Sequence, residues 1–143
     1  MAIHQLSVYA QNRKGTLVDV VKVLSDANVD LRSICVADTE TFGILRLIVN
    51  DNEKAYKVLR EADYMVRIRE VVAISLEDKP GALSDALQCL ADADINLEYM
   101  YSVINSERNR AYMVLRVDDN KHAEQVLTAH GIKILSEEKA ARE

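Results

Sequence analysis

The sequence predicts an α+β protein made of two tandem βαββαβ modules, and three features of its 143 residues support this prediction. The chain repeats itself, since one shift lays Gly15 on Gly81 and a shift two residues longer lays Val49 on Val117. Strand-like alternation and helical spacing of apolar residues follow the same order in both copies. The two extra residues fall at a predicted hairpin tip, beyond 38–41 in the first copy, where loops tolerate insertion.

The elements of the first copy follow from its apolar pattern. A first strand has apolar residues at alternate positions: Leu6, Val8 and Ala10. A helix follows, with apolar residues at helical spacing: Leu17, Val20, Val21 and Leu24. Strands are expected next over Leu31–Ala37 and Phe42–Val49, and the Asp51-Asn52 pair favours the N-cap of a second helix. A short strand over Tyr64–Ile68 completes the order.

The second copy repeats this order. Its first strand alternates in the same way: Val72, Ile74 and Leu76. Its first helix has the matching stripe: Leu83, Ala86, Leu87 and Leu90. Strands are expected over Ile95–Ile104 and Arg110–Val117, a helix after Asp119-Asn120, and a last strand over Ile132–Leu135. We expect the charged tail, residues 136–143, to fray.

The element order βαββαβ is that of the ferredoxin-like fold, with both helices on one face of an antiparallel sheet. The predicted modules are residues 1–69 and 70–143. A module of about 70 residues buries little core, so we expect the two sheets to be joined side by side. The other sheet face also carries apolar residues, and a homodimer through it is expected. These residues are Ile34, Val36, Ile44, Ile48, Met100, Tyr112 and Val114.

Charge and hydropathy exclude several classes of function. The net charge is −5 and the 18 Lys and Arg residues are scattered, so no nucleic-acid partner is expected. The chain also has one Phe and no Trp for stacking on RNA bases. No apolar run approaches the roughly 18 residues that would span a bilayer, so no membrane partner is expected. The start shows no export leader, which favours the cytoplasm.

No set of residues predicts catalysis, a cofactor or a metal. The cysteines Cys35 and Cys89 lie far apart and form no CxxC pair, so no disulfide is expected. The histidines His4, His122 and His130 have no partners at metal-ligand spacing. Phosphate-binding glycine loops and a nucleophile elbow are missing from the sequence. A plait-fold enzyme or metal carrier is therefore poorly supported.

Two glycines stand at equivalent turns between a first strand and a first helix, in the segments Gln11–Leu17 and Glu77–Leu83. Glycine lets the backbone turn tightly and lets another group approach it. Free N–H groups at the start of a helix favour an anion such as an α-carboxylate. The alternative is that Gly15 and Gly81 only make the turn, with Asn12 and Asp78 as caps. The residues alone leave both interpretations open.

The turn Asp78-Lys79-Pro80-Gly81-Ala82-Leu83, followed by a helix and Ile95-Asn96-Leu97, resembles the signature of the ACT domain. The first copy is similar but looser, with Lys14 where the proline stands and Asp30 where the asparagine stands. The resemblance covers nearly all of the chain except the tail. It implies a regulator that binds a free amino acid where two ACT modules meet.

The resemblance also implies the residues of that site. These are the corner residues Asn12, Arg13, Lys14, Gly15, Thr16 and Leu17, their counterparts Asp78, Lys79, Pro80, Gly81, Ala82 and Leu83, and the strand-two residues Asp30 and Asn96. A family histidine falls on Ala10 and Leu76, so serine is not implied as the ligand.

If each corner meets the strand-two residue of the other module, the two sites differ. Asn12 and Asn96 offer two amides, whereas Asp78 and Asp30 offer two carboxylates that repel a ligand carboxylate. The first site is therefore expected to be the better one. We expect a free-standing regulator without catalytic activity. The alternative is a regulatory subunit of an amino-acid biosynthetic enzyme, similar to the small subunit of acetolactate synthase.

Overall fold

The computed structural model describes residues 3–11, 13–38 and 42–142. Asn12 and most of the predicted hairpin tip lie outside these residues. The elements in chain order are β1 Ile3–Gln11, α1 Thr16–Asp26, β2 Leu31–Asp38, β3 Phe42–Val49, α2 Asn52–Glu61, β4 Met65–Glu77, α3 Ala82–Asp92, β5 Leu97–Val103, β6 Arg110–Val117, α4 Asn120–Ala129, β7 Lys133–Ile134 and α5 Glu137–Arg142.

The chain divides into two compact units. We call residues His4–Arg69 the first module and residues Glu70–Ala141 the second module. In the first module the strand order is β2-β3-β1-β4, and Leu6 of β1 lies opposite Leu47 of β3 in an antiparallel pair. In the second module the order is β7-β4-β6-β5, with Val72 opposite Leu115. The predicted α+β fold of two ferredoxin-like modules is confirmed.

Strand β4 differs from the prediction of two separate strands. It runs without interruption for 13 residues, so it begins in the first module and ends in the second. The stretch Val66–Val71 contains no glycine or proline that would favour a turn, and an extended chain can pass through it. The last strand of one module and the first strand of the next are therefore one element.

Each module has its own core between its helices and one face of its sheet. The core of the first module consists of Leu6, Val8, Val20, Leu24, Val29, Leu45, Leu47, Val49, Ala55, Leu59 and Val66. The core of the second consists of Val72, Ile74, Leu76, Ala86, Cys89, Leu90, Ile95, Leu115, Val117, Ala123 and Leu127. Helices α1 and α3 pack against these cores through the apolar residues that the sequence predicted. Val20 and Leu24 of α1 are buried, and so are the equivalent Ala86 and Leu90 of α3. The cores hold the starts of α1 and α3 at fixed ends of the sheets.

Two β-bulges place some of the apolar residues that we expected on the sheet face away from the helices on the helical face instead. Ile34 and Val36 lie opposite the core residues Leu47 and Leu45, so they share the helical face and not the face of Ile48. Each bulge falls early in its strand, between Leu31 and Ser33 in β2 and between Leu97 and Tyr99 in β5, and reverses the alternation that follows. The predicted grouping of these residues on one face is wrong.

Met100 shows the same effect in the second module. It lies opposite Leu115 and packs against the helical core, not beside Tyr112 and Val114 as predicted. Tyr112, Val114 and Ile48 are buried within the single chain. Much of the apolar surface that suggested dimerisation is therefore already covered. What remains exposed is Ile34 at 39% and Val36 at 54%.

Residues 137–142 of the charged tail form a helix, which contradicts the expectation that the tail frays. Residues Glu137–Arg142 form helix α5, and the Ser136 hydroxyl accepts a hydrogen bond from the Lys139 amide at 3.2 Å. Ala140 and Ala141 are 0% and 3% exposed. The cap and the two buried alanines hold the short helix in place, because burial offsets the entropy of ordering it.

Candidate functional site

The two glycine corners have the same backbone conformation. Gly15 has φ +88° and Gly81 has φ +91°, and each is the N-cap residue of its helix, α1 or α3. A Cβ atom on either glycine would meet no atom within 4 Å. The left-handed backbone, and not crowding, therefore requires glycine at both corners.

The hydrogen bonds within the corners also match. In the first corner the Arg13 amide donates to the Gln11 carbonyl at 2.8 Å, and in the second the Lys79 amide donates to the Glu77 carbonyl at 2.9 Å. Three residues further on, the Thr16 amide donates to the Arg13 carbonyl at 3.2 Å, and the Ala82 amide donates to the Lys79 carbonyl at 3.3 Å. The sequence difference between Lys14 and Pro80 does not change the turn.

Both corners place a glycine, which has no side chain, at the N-cap of a helix. Gly15 and Gly81 therefore cannot cap α1 and α3 as Asp51 and Asp119 cap α2 and α4, by accepting from the amides of Lys54 and His122. Asp78 donates its own amide to the Asn109 carbonyl at 2.8 Å and is exposed. No side-chain hydrogen bond from Asp78 to the start of α3 is found, so Asp78 does not cap α3; Asn12, the corresponding candidate for α1, lies outside the described residues. The first turn of α3 presents the positive end of the helix dipole to an open corner.

The strand-two residues Asp30 and Asn96 each come directly before an edge strand. The Asp30 carboxylate already pairs with Arg32 at 3.3 Å, and its amide donates to the Asn50 side chain at 2.9 Å. Asn96 is exposed, and its carbonyl accepts from the Asp118 amide at 3.3 Å. The amide side chain of Asn96 is thus more open to a ligand than the carboxylate of Asp30.

The second corner opens into a cavity that lies entirely within the second module. Its volume is about 280 Å³. The charged and polar groups that line it include Glu77, Lys79, Asp85, Arg110 and His130. This is near the lower end of the ~300–1,000 Å³ found for ligand pockets, so a small molecule would fill it. Of these residues, the sequence had suggested only Lys79 as part of a site.

Charges in this cavity are held in place by neighbouring groups. Arg110 donates from Nε to the Ser75 hydroxyl at 2.8 Å and from a terminal nitrogen to the Ser75 carbonyl at 2.9 Å. Lys79 lies 2.7 Å from the Glu77 carboxylate. Their hydrogen bond lowers the pKa of Glu77 and raises the pKa of Lys79. Both groups are thus charged at neutral pH.

The first module differs at the equivalent position. The repeat lays Tyr64 on Ile132 and Asp19 on Asp85, and the Tyr64 hydroxyl donates to the Asp19 carboxylate. Burial, followed by this hydrogen bond and the charge of Asp19, raises the pKa of Tyr64 to about 12. The Tyr64 to Ile132 difference between the repeats is the sequence signal that could have pointed to the cavity.

Other chemistry receives little support from the described residues. In residues 3–11, 13–38 and 42–142, no three His, Cys, Asp or Glu side chains are arranged to hold a metal ion. Cys35 and Cys89 are free thiols, and burial raises the pKa of Cys89. A raised pKa disfavours the thiolate that a nucleophile requires. Among these residues no helix is long and apolar enough to cross a membrane.

Residues 1–142 match the model of a family described as an ACT domain pair. A protein of Bacteroides thetaiotaomicron shares 36% sequence identity at a TM-score of 0.92, covering 100% of this chain and 98% of that one. No curated protein sequence matches the chain.

The regulatory subunit of aspartate kinase has a similar fold. The Thermus thermophilus subunit in its ligand-free form shares 15% identity at a TM-score of 0.64, covering 90% of each chain. The Thermus flavus subunit shares 13% identity at a TM-score of 0.62, covering 90% of this chain and 93% of that one. At such identities the likeness concerns the fold alone.

Proposed function

Because this chain belongs to the ACT domain pair family, we propose that it is a regulatory protein that binds a free amino acid and catalyses no reaction. The observation that carries the proposal is the matched pair of glycine corners. Each corner places a left-handed glycine, which has no side chain to act as a cap, at the start of a helix. An α-carboxylate is the kind of group that such a helix start attracts.

The ligand-binding residues that we propose are the two corners together with Asp30 and Asn96. Within this set we propose that Asn96 contributes more to binding than Asp30, since a neutral amide can donate to a carboxylate and accept from an ammonium group. A ligand at Asp30 would compete with Arg32, which supports this order. The first corner comprises Asn12 and residues 13–17, and the second comprises residues 78–83.

Regulation requires that the ligand change an interaction with another molecule. We propose that the protein acts in the cytoplasm on a metabolic enzyme and forms a homodimer. Support for self-association is that β2 is an edge strand of the first module with Ile34 and Val36 exposed, and exposed apolar edges favour pairing with another chain. The alternative, an obligate regulatory subunit of an amino-acid biosynthetic enzyme, predicts that the partner enzyme co-purifies with this protein.

A thermal-shift screen against the standard L-amino acids tests the proposal. A ligand at 100 times its dissociation constant adds about 2.7 kcal/mol to the free energy of unfolding, which is readily measured. The amino acid that gives the largest shift is then titrated into Asn96→Ala and Asp30→Ala proteins by calorimetry. We expect Asn96→Ala to lose more affinity. Equal losses would overturn the proposed order of Asn96 and Asp30, and the lack of any shift would overturn amino-acid binding.

A further inference from the structure

The two modules carry an aspartate at equivalent positions, and only the aspartate of the first module is hydrogen-bonded to a tyrosine. In the first module the Tyr64 hydroxyl donates to Asp19. In the second, Ile132 stands in place of the tyrosine and has no hydroxyl to offer Asp85. Both Asp85 and Ile132 line the cavity of about 280 Å³ at the corner. The first module therefore has a hydroxyl donor beside its aspartate, whereas the second module has a cavity beside the equivalent aspartate.

The lining of this cavity carries charges of both signs. Arg110 uses Nε and one terminal nitrogen on Ser75, which fixes the guanidinium and leaves further N–H groups for an anion. Lys79 is held beside Glu77 and also interacts electrostatically with Asp85. Leu76, Ala82 and Ile132 supply apolar surface. A small molecule with one positive and one negative group matches both the size and the charges of this space.

We propose that the cavity binds one free amino acid per chain, with its ammonium group on Asp85 and its carboxylate facing Lys79 and Arg110. This inference rests on the proposed function and makes it more specific, because it places a site within the second module alone. The first module cannot offer the same site. Its Asp19 already accepts from Tyr64, and Phe42 stands at the repeat position of Arg110.

A pair of matched substitutions tests the role of Asp85. The probe is the amino acid that gives the largest thermal shift with the wild-type protein. Asp85→Asn removes the charge from the cavity, and Asp19→Asn makes the same change at the equivalent position of the first module. Losing a charged hydrogen-bond partner is expected to weaken binding at least about tenfold for Asp85→Asn. Asp19→Asn is expected to bind as the wild type does, with one ligand per chain.

The substitution Ile132→Tyr provides a second, independent test. It places at Ile132 the residue that occupies the equivalent position of the first module, where the hydroxyl reaches the carboxylate. The variant is expected to be at least as thermostable as the wild type and to lose ligand binding. Its thermal unfolding without ligand confirms that any loss of binding is not a loss of fold.

The outcomes separate the two proposals. If Asp85→Asn and Ile132→Tyr both bind as tightly as the wild type, the assignment of the cavity is overturned while amino-acid binding stands. Equal losses in Asp85→Asn and Asp19→Asn, or two ligands per chain of equal affinity, would also overturn it. If no amino acid binds the wild-type protein, the proposed function and this inference fall together.

Discussion

The substitution Gly81→Ala tests whether the second corner depends on a left-handed glycine. A Cβ at φ +91° costs about 1–2 kcal/mol, because it approaches the following carbonyl oxygen. The side chain itself would meet no atom within 4 Å, so no steric clash adds to this cost. Alanine also restricts the unfolded chain, which returns about 0.4–1 kcal/mol. The net loss of stability is therefore about 1 kcal/mol.

For a chain of this length a loss of 1 kcal/mol lowers the melting temperature by about 2–4 °C. Gly43→Ala is the matched control, because Gly43 lies in β3 without a left-handed backbone and its Cβ would lie 3.8 Å from the Ala10 carbonyl oxygen. It is expected to be neutral or slightly stabilising. Gly81→Asn is expected to lose less than Gly81→Ala, since asparagine tolerates this conformation. Urea denaturation of the three variants decides the matter; equal stability of Gly81→Ala and Gly43→Ala would refute the reasoning.

Three further predictions concern stability and reactivity. As pH rises from 10 to about 12, the protein loses the stability that protonated Tyr64 contributes, and phenolate absorbance shows a late-titrating tyrosine that Tyr64→Phe removes. Asp119→Ala removes the cap on the His122 amide and costs about 1 kcal/mol in chemical denaturation, whereas Asp118→Ala, one residue earlier, costs little. A thiol reagent modifies Cys35 faster than Cys89, because burial raises the pKa of Cys89; equal rates would contradict this.

The backbone of the two glycine corners could be predicted from local sequence, and the reason lies in backbone chemistry. A glycine between a strand pattern and a helix pattern indicates a left-handed turn, and both Gly15 and Gly81 adopt it. The Asp51 and Asp119 caps follow from equally local preferences. The cavity could not be predicted in this way, since Asp85 and Arg110 line the same space only after residues distant in sequence are brought together.

The sequence by itself determined the duplication, the order of strands and helices, and the two corners, because each depends on residues within one turn or one strand pair. The tertiary structure decided which faces the edge strands present, since a bulge in β2 places Ile34 beside Leu47. It also decided that α5 is folded, because Ala140 is buried. It further decided that the Tyr64 hydroxyl donates to Asp19, whereas Asp85 and Ile132 line a cavity. These features depend on contacts between distant residues, which no local pattern specifies.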